Sequence, residues 1–249
     1  MVPYSASSRA ISAWLPFAEF LQKKLQHPVV VVTAPNHKIF YERIQEGRYF
    51  LIGSSPHIAA DMIKQNQAYP VRLITVPIIG HLIIRNGSPF ANLKALAGKS
   101  ITTTPVGSFT ALLLEREIQL LNEQQPFSVS IRYSNSHAGA LRNLLNGRTD
   151  AAFVSQLPHS ASSVDQLAGL NIIDLASLTS YPMIISPKTL GAEHAIKMGR
   201  LLDEFSKTHS LAVNALQPFK NEPLYGFVPI QQADLDILEP LVRAWEHYR

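Results

Sequence analysis

Gly53-Ser54-Ser55-Pro56-His57, which follows the apolar run Tyr49-Phe50-Leu51-Ile52, is where a strand gives way to a helix. Proline suits the first helical position, because its missing N–H has no intrahelical partner there in any case. Ser55 is then the natural N-cap, and the amides of the first turn face outward with a partial positive charge. A strand end that delivers amides and hydroxyls to one point can cradle an anion or a small ligand. Taken by itself, the stretch reads first as an ordinary strand-to-helix turn with a good cap.

Outward from this turn the same grammar repeats. Upstream, residues 7–25 place Ile11, Trp14, Leu15, Phe17, Leu21 and Leu25 close to helical spacing. Pro28-Val-Val-Val-Val-Thr33 has the β-branched character of a strand covered on both faces, and 37–46 reads as a short helix closed by Gly47. Downstream come a helix over 56–66 and apolar strands over 71–79 and 81–84, broken at Gly80. Ser88 then caps a helix that starts at Pro89 and stops at Gly98.

Strands over 100–103, 127–132 and 150–154 alternate with helices over 108–122 and up to Asn146. Met183-Ile184-Ile185 makes a short strand, and helices are expected over 190–205, 211–216 and 233–245. Such alternation implies an α/β protein with mostly parallel sheets flanked by helices. The middle third has turns of its own, so the chain divides into two lobes. Residues 1–84 and 185–249 form the first and 85–184 an inserted second, joined by extended segments near Ile84 and Met183.

The 249 residues suffice for two cores, with 46% hydrophobic and 16% charged. A net charge of +4 without a Lys/Arg cluster gives nucleic-acid binding little support, while a diffuse positive field suits an anionic ligand. The absence of cysteine excludes disulfides, thiolate metal sites and cysteine nucleophiles, and it fits an extracytoplasmic bacterial protein. No apolar run is long enough to span a membrane. Met1-Val2-Pro3-Tyr4 has no signal-peptide character, so an export signal is expected outside this sequence.

Three strand-to-helix turns share one chemistry: Ser54-Ser55-Pro56, Gly107-Ser108 with Thr110, and Ser134-Asn135-Ser136-His137. Each sets small hydroxyl residues and helix-terminal amides where an anion can accept from them. His137 is the foremost individual candidate, since an imidazole at a helix start can donate to an anion; the plain alternative is an exposed loop histidine. His37 and His57 also open helices. The nine histidines show no His-x-His or His-Glu-x-x-His spacing, so no metal is expected. Neither a Gly-x-Ser-x-Gly elbow, a Gly-x-Gly-x-x-Gly turn nor a P-loop is present, which points to binding without catalysis or cofactor.

A longer series of motifs carries a resemblance. Trp14-x-Pro-Phe-Ala-Glu-Phe-Leu21, Val32-Thr-Ala-Pro-Asn36, Gly53-Ser-Ser-Pro-His57, Asn86-Gly-Ser-Pro89, Leu93-x-x-Leu-x-Gly-Lys99, Ser136-His137 and Asn146-Gly-Arg-Thr-Asp-Ala-Ala152 follow one another in order. Together they resemble the phosphate/phosphonate/phosphite-type substrate-binding proteins of ABC transporters. That resemblance implies a two-lobed type II periplasmic binding protein with two crossover strands, a ligand in the interlobe cleft and closure by a hinge. It also implies a monomer in the periplasm that meets an ABC permease. The alternatives are a ligand-sensing domain that meets a membrane sensor, or an enzyme on the same fold.

By the same resemblance, Ser54 and Ser55 lie on the ligand-side turn of the first lobe. Gly107, Ser108 and Phe109 occupy the family's Ser-Thr-Ser cradle with Thr110 just beyond, Ser136 and His137 match its binding histidine region, and His37 stands where an aromatic contact is common. Ile78 replaces a cleft tyrosine, and the acidic residues that would hold a ligand's amino group are replaced near Leu157 and by Tyr181. These departures disfavour a 2-aminoalkyl phosphonate.

Overall fold

The computed structural model describes residue 1 and residues 7–155, 169–208 and 226–249. The helix expected over 211–216 and the replacement near Leu157 lie outside the described residues. Two compact units divide the chain: Met1–Pro77 with Ser180–Arg249, and Ile78–Thr179.

In the first unit, α1 (Ser7–Leu25), α2 (His37–Gln45) and α3 (Pro56–Lys64) accompany strands β1 (Ile52–Ser54) and β2 (Ala68–Ile74). The second unit opens with β3 (Ile78–Arg85) and continues through β4 (Ser100–Thr103), α4 (Phe109–Gln124), β5 (Ser130–Tyr133), α5 (His137–Leu145), β6 (Ala151–Val154) and β7 (Leu170–Ser180), whose last residue returns the chain to the first unit. There follow β8 (Met183–Pro187), α6 (Ala192–Thr208), β9 (Phe227–Val228), α7 (Gln232–Asp236) and α8 (Glu239–Trp245).

The first sheet has the order β1-β8-β2-β9. Its expected parallel character is not seen in the neighbouring pairs: β1 and β2 both run antiparallel to β8. The returning strand β8 lies between them, so β1 and β2 share a direction without touching. Trp14, Phe17, Phe20 and Leu21 of α1 close over this sheet with Met198, Leu202 and Phe205 of α6, the rings of Phe17 and Phe205 meeting edge to face at 5.1 Å. The guanidinium of Arg72 on β2 donates to both oxygens of Asp203 at 2.8 and 2.5 Å, pinning α6 to the sheet.

The second sheet has the order β5-β4-β6-β3-β7, with β4 parallel to β5 and β6, and β3 antiparallel to β6. Ile83, Ala140, Leu141, Leu144, Ala152 and Val154 form a core between sheet and α5. Asp150, at the head of β6, accepts from the backbone N–H and hydroxyl of Ser100 at 2.9 and 2.8 Å, and these bonds hold its carboxyl below the usual range.

Three local expectations are corrected. Pro28–Thr33 forms no strand, and Val30 and Val32 are 74% and 41% exposed, so the run is covered on one face only. Gly80 does not break a strand; it lies inside β3, where an added Cβ would sit 2.4 Å from the ring of Phe153. The interruption comes instead at residues 75–77, where Pro77 has no N–H to give to a ladder. Ser88-Pro89 opens no α-helix: only a 3₁₀ turn, Lys94–Leu96, forms before Gly98, with Asn92 Oδ1 accepting from Ala95 N.

Candidate functional site

In the first unit, β1 ends at Ser54 and α3 begins at Pro56, as the sequence requires. Ser55 has the extended backbone of an N-cap (φ −66°, ψ 151°), yet its side chain makes no capping bond. Ser54 and Ser55 are 1% and 7% exposed, and neither hydroxyl has a hydrogen-bond partner among the described residues. A buried hydroxyl left unpaired costs on the order of 1–3 kcal/mol, so two adjacent ones at a helix start call for an acceptor. The first-turn amides of α3 and its dipole favour a negative one.

The other first-unit candidates separate by environment. His57 is fully buried, its ring edge-on to Trp245 at 5.3 Å, which gives it a packing role inside the unit. His37 opens α2 behind the cap Asn36, whose Oδ1 accepts from Ile39 N at 2.8 Å. It is 4% exposed, and burial lowers its pKa from 6.5 to about 4, so its ring is neutral. Tyr181 is half-buried in the two-residue connection between β7 and β8, two residues ahead of Met183, which pairs with Ser54.

In the second unit the structure brings the two expected turns together. Gly107 adopts φ +72° in the turn closed by Ser108 N donating to Pro105 O at 3.0 Å, a left-handed conformation that glycine takes without strain. Ser108 caps α4: its Oγ accepts from Ala111 N at 3.3 Å and lies 2.6 Å from Thr104 Oγ1. Phe109 and Thr110 fill the first two helical positions, 4% and 3% exposed. Ser136 caps α5, its Oγ accepting from Gly139 N at 3.0 Å, so that His137 takes the first helical position.

What joins these turns is Ser155, just past β6 and 3% exposed. Its Oγ lies 2.6 Å from Thr110 Oγ1, and its backbone N–H donates to His137 Nδ1 at 3.4 Å. Ser155 and Thr104 were not among the expected site residues. The available signal was positional: both directly follow strands whose carboxyl ends carry the ligand side of an α/β sheet. Among the described residues no group of three His, Asp or Glu side chains could hold a metal ion, and no helix is long and apolar enough to cross a membrane.

The profile of the family described as ABC transporter, phosphonate, periplasmic substrate-binding protein matches residues 1–235. No curated protein matches the sequence significantly. Among solved structures, PhnD1 from Prochlorococcus marinus in complex with methylphosphonate superposes with a TM-score of 0.74 at 11% identity, over 98% of this chain and 96% of that one. XAC2383 from Xanthomonas citri, bound to ATP, gives 0.72 at 14% identity over 99% and 97%. The periplasmic aliphatic sulphonate binding protein SsuA from Escherichia coli gives 0.70 at 13% identity over 99% and 90%. At these identities the likeness is one of fold.

Proposed function

The chain belongs to the periplasmic phosphonate substrate-binding family of ABC transporters, and from that premise we propose that it captures a small oxyanion and acts by binding and release, without catalysis. The observation that carries the reading is the pair of buried, unpartnered hydroxyls of Ser54 and Ser55 at the start of α3. The hydroxyl and imidazole donors of Ser108, Thr110, Ser136 and His137 at the helix starts of the second unit support it. Two proteins of the same fold are described with methylphosphonate and as a sulphonate binder, acids of this chemical type. The protein would work outside the cytoplasm as a monomer that delivers its ligand to an ABC permease.

Thermal melting of protein refolded from denaturant, and so stripped of carried-over ligand, tests the reading. Phosphate, phosphite, sulfate and methylphosphonate are added separately at millimolar concentration. A ligand at 100 times its Kd stabilises the folded state by about 2.7 kcal/mol, enough to raise Tm by several degrees. A melting temperature that none of the four moves overturns oxyanion capture.

A further inference from the structure

We propose that Ser155 is the positioning residue of the second unit's oxyanion cradle, holding the proton of His137 on Nε2 while it orients the hydroxyl of Thr110. The proposal rests on the oxyanion-binding reading and adds to it the protonation state in which the histidine works.

A neutral imidazole carries its proton on one nitrogen and accepts on the other, and the hydrogen bond made by one nitrogen decides the state of the other. Here Nδ1 of His137 receives the backbone N–H of Ser155 at 3.4 Å. That nitrogen is therefore the acceptor, and the proton sits on Nε2. Protonating Nδ1 as well would set two N–H groups head to head. The first helical position of α5 adds the positive end of the helix dipole to the same penalty. His137 is thus held as a neutral donor, with its N–H at the far end of the ring from Ser155.

The hydroxyl of Ser155 does the matching work on α4. Its Oγ lies 2.6 Å from Thr110 Oγ1, and both residues are nearly fully buried, at 3% each. One residue at the end of β6 thereby fixes side chains at the starts of two helices. The turns it joins, residues 105–110 and 134–139, contain no Asp or Glu, so the cradle is a set of neutral donors, matched to an acceptor-only anion.

Two measurements test this. In ligand-free protein labelled with 15N-histidine, the His137 ring signals are identified by their loss in His137→Gln. The expected pattern at neutral pH is that of the Nε2-protonated tautomer; an Nδ1-protonated ring or an imidazolium overturns the proposal. Calorimetric titration with methylphosphonate then compares Ser155→Ala with Ser155→Thr. Loss of the hydroxyl should weaken binding about fivefold to tenfold, and its return in the threonine variant should restore affinity to within about threefold. Equal affinity of Ser155→Ala and the unmodified protein counts against the proposal. If the unmodified protein binds no oxyanion, the capture reading falls, while the tautomer still decides whether Ser155 sets the state of His137.

Discussion

At the scale of the residue, Ser55 and Ser136 occupy the same position in their helices and do different work. Ser136 Oγ takes the N–H of Gly139, whereas the Ser55 hydroxyl is buried with no partner among the described residues. Ser136→Ala should therefore cost about 1 kcal/mol, as losing an N-cap does. Ser55→Ala removes a buried group that nothing satisfies, so stability should hold steady or rise by up to about 1 kcal/mol. Ligand affinity should move the other way: a lost bond to an anion is worth about tenfold or more. Urea unfolding and ligand titration of the two variants check this, and a Ser55→Ala that merely destabilises like Ser136→Ala would mark Ser55 as an ordinary cap. The sequence discloses both serines as cap positions, because proline and helix periodicity fix where the helix starts. It does not disclose which hydroxyl turns toward the helix, since a side-chain rotamer answers to its three-dimensional surroundings.

At the scale of the element, α3 is gripped from behind by α8 and the residues that follow it. Trp245 lies against His57 and Tyr41, and Arg249 gives hydrogen bonds at 2.7 Å to both oxygens of Asp61, which is 1% exposed. Tyr41 adds a bond at 3.0 Å; burial and then the charge of Asp61 push its pKa up to about 12, so it keeps the proton it donates. Arg249→Ala strands a buried carboxylate and should cost about 2 kcal/mol, less than for a fully enclosed pair because Tyr41 and Gln65 still hold Asp61. Glu239, which meets Lys64 at the exposed far end of α3, should leave the urea midpoint unchanged when replaced by glutamine. Similar losses in the two variants would refute the buried clamp. Helices such as α1 and α4 were legible because many apolar residues agree on one period. Gly80 and Ser88-Pro89 misled because a glycine can be demanded by a neighbour, here Phe153, and a cap signal needs an amphipathic stretch behind it.

At the scale of the molecule, the two-unit α/β organisation and the chain-wide run of family motifs were both visible, because each rests on order along the chain. The place of β8 between β1 and β2 was not, since strand order is a property of pairing between distant segments. Global stability also carries a pH dependence that sequence cannot supply. His37 is neutral in the folded protein with a pKa of about 4, whereas an unfolded histidine titrates near 6.5. Between these values the unfolded chain binds more protons, so acid favours unfolding. The stabilising contribution is complete above pH 6.5 and is lost as pH falls through about 4, on the order of 3 kcal/mol in all. His37→Gln stays neutral at every pH and should flatten the acid limb. Urea unfolding of both proteins near pH 7, 5.5 and 4 should therefore show their stability difference shifting in favour of the variant by that amount as the pH falls. Curves that stay parallel would mean that His37 picks up its proton inside the fold as readily as in the open chain.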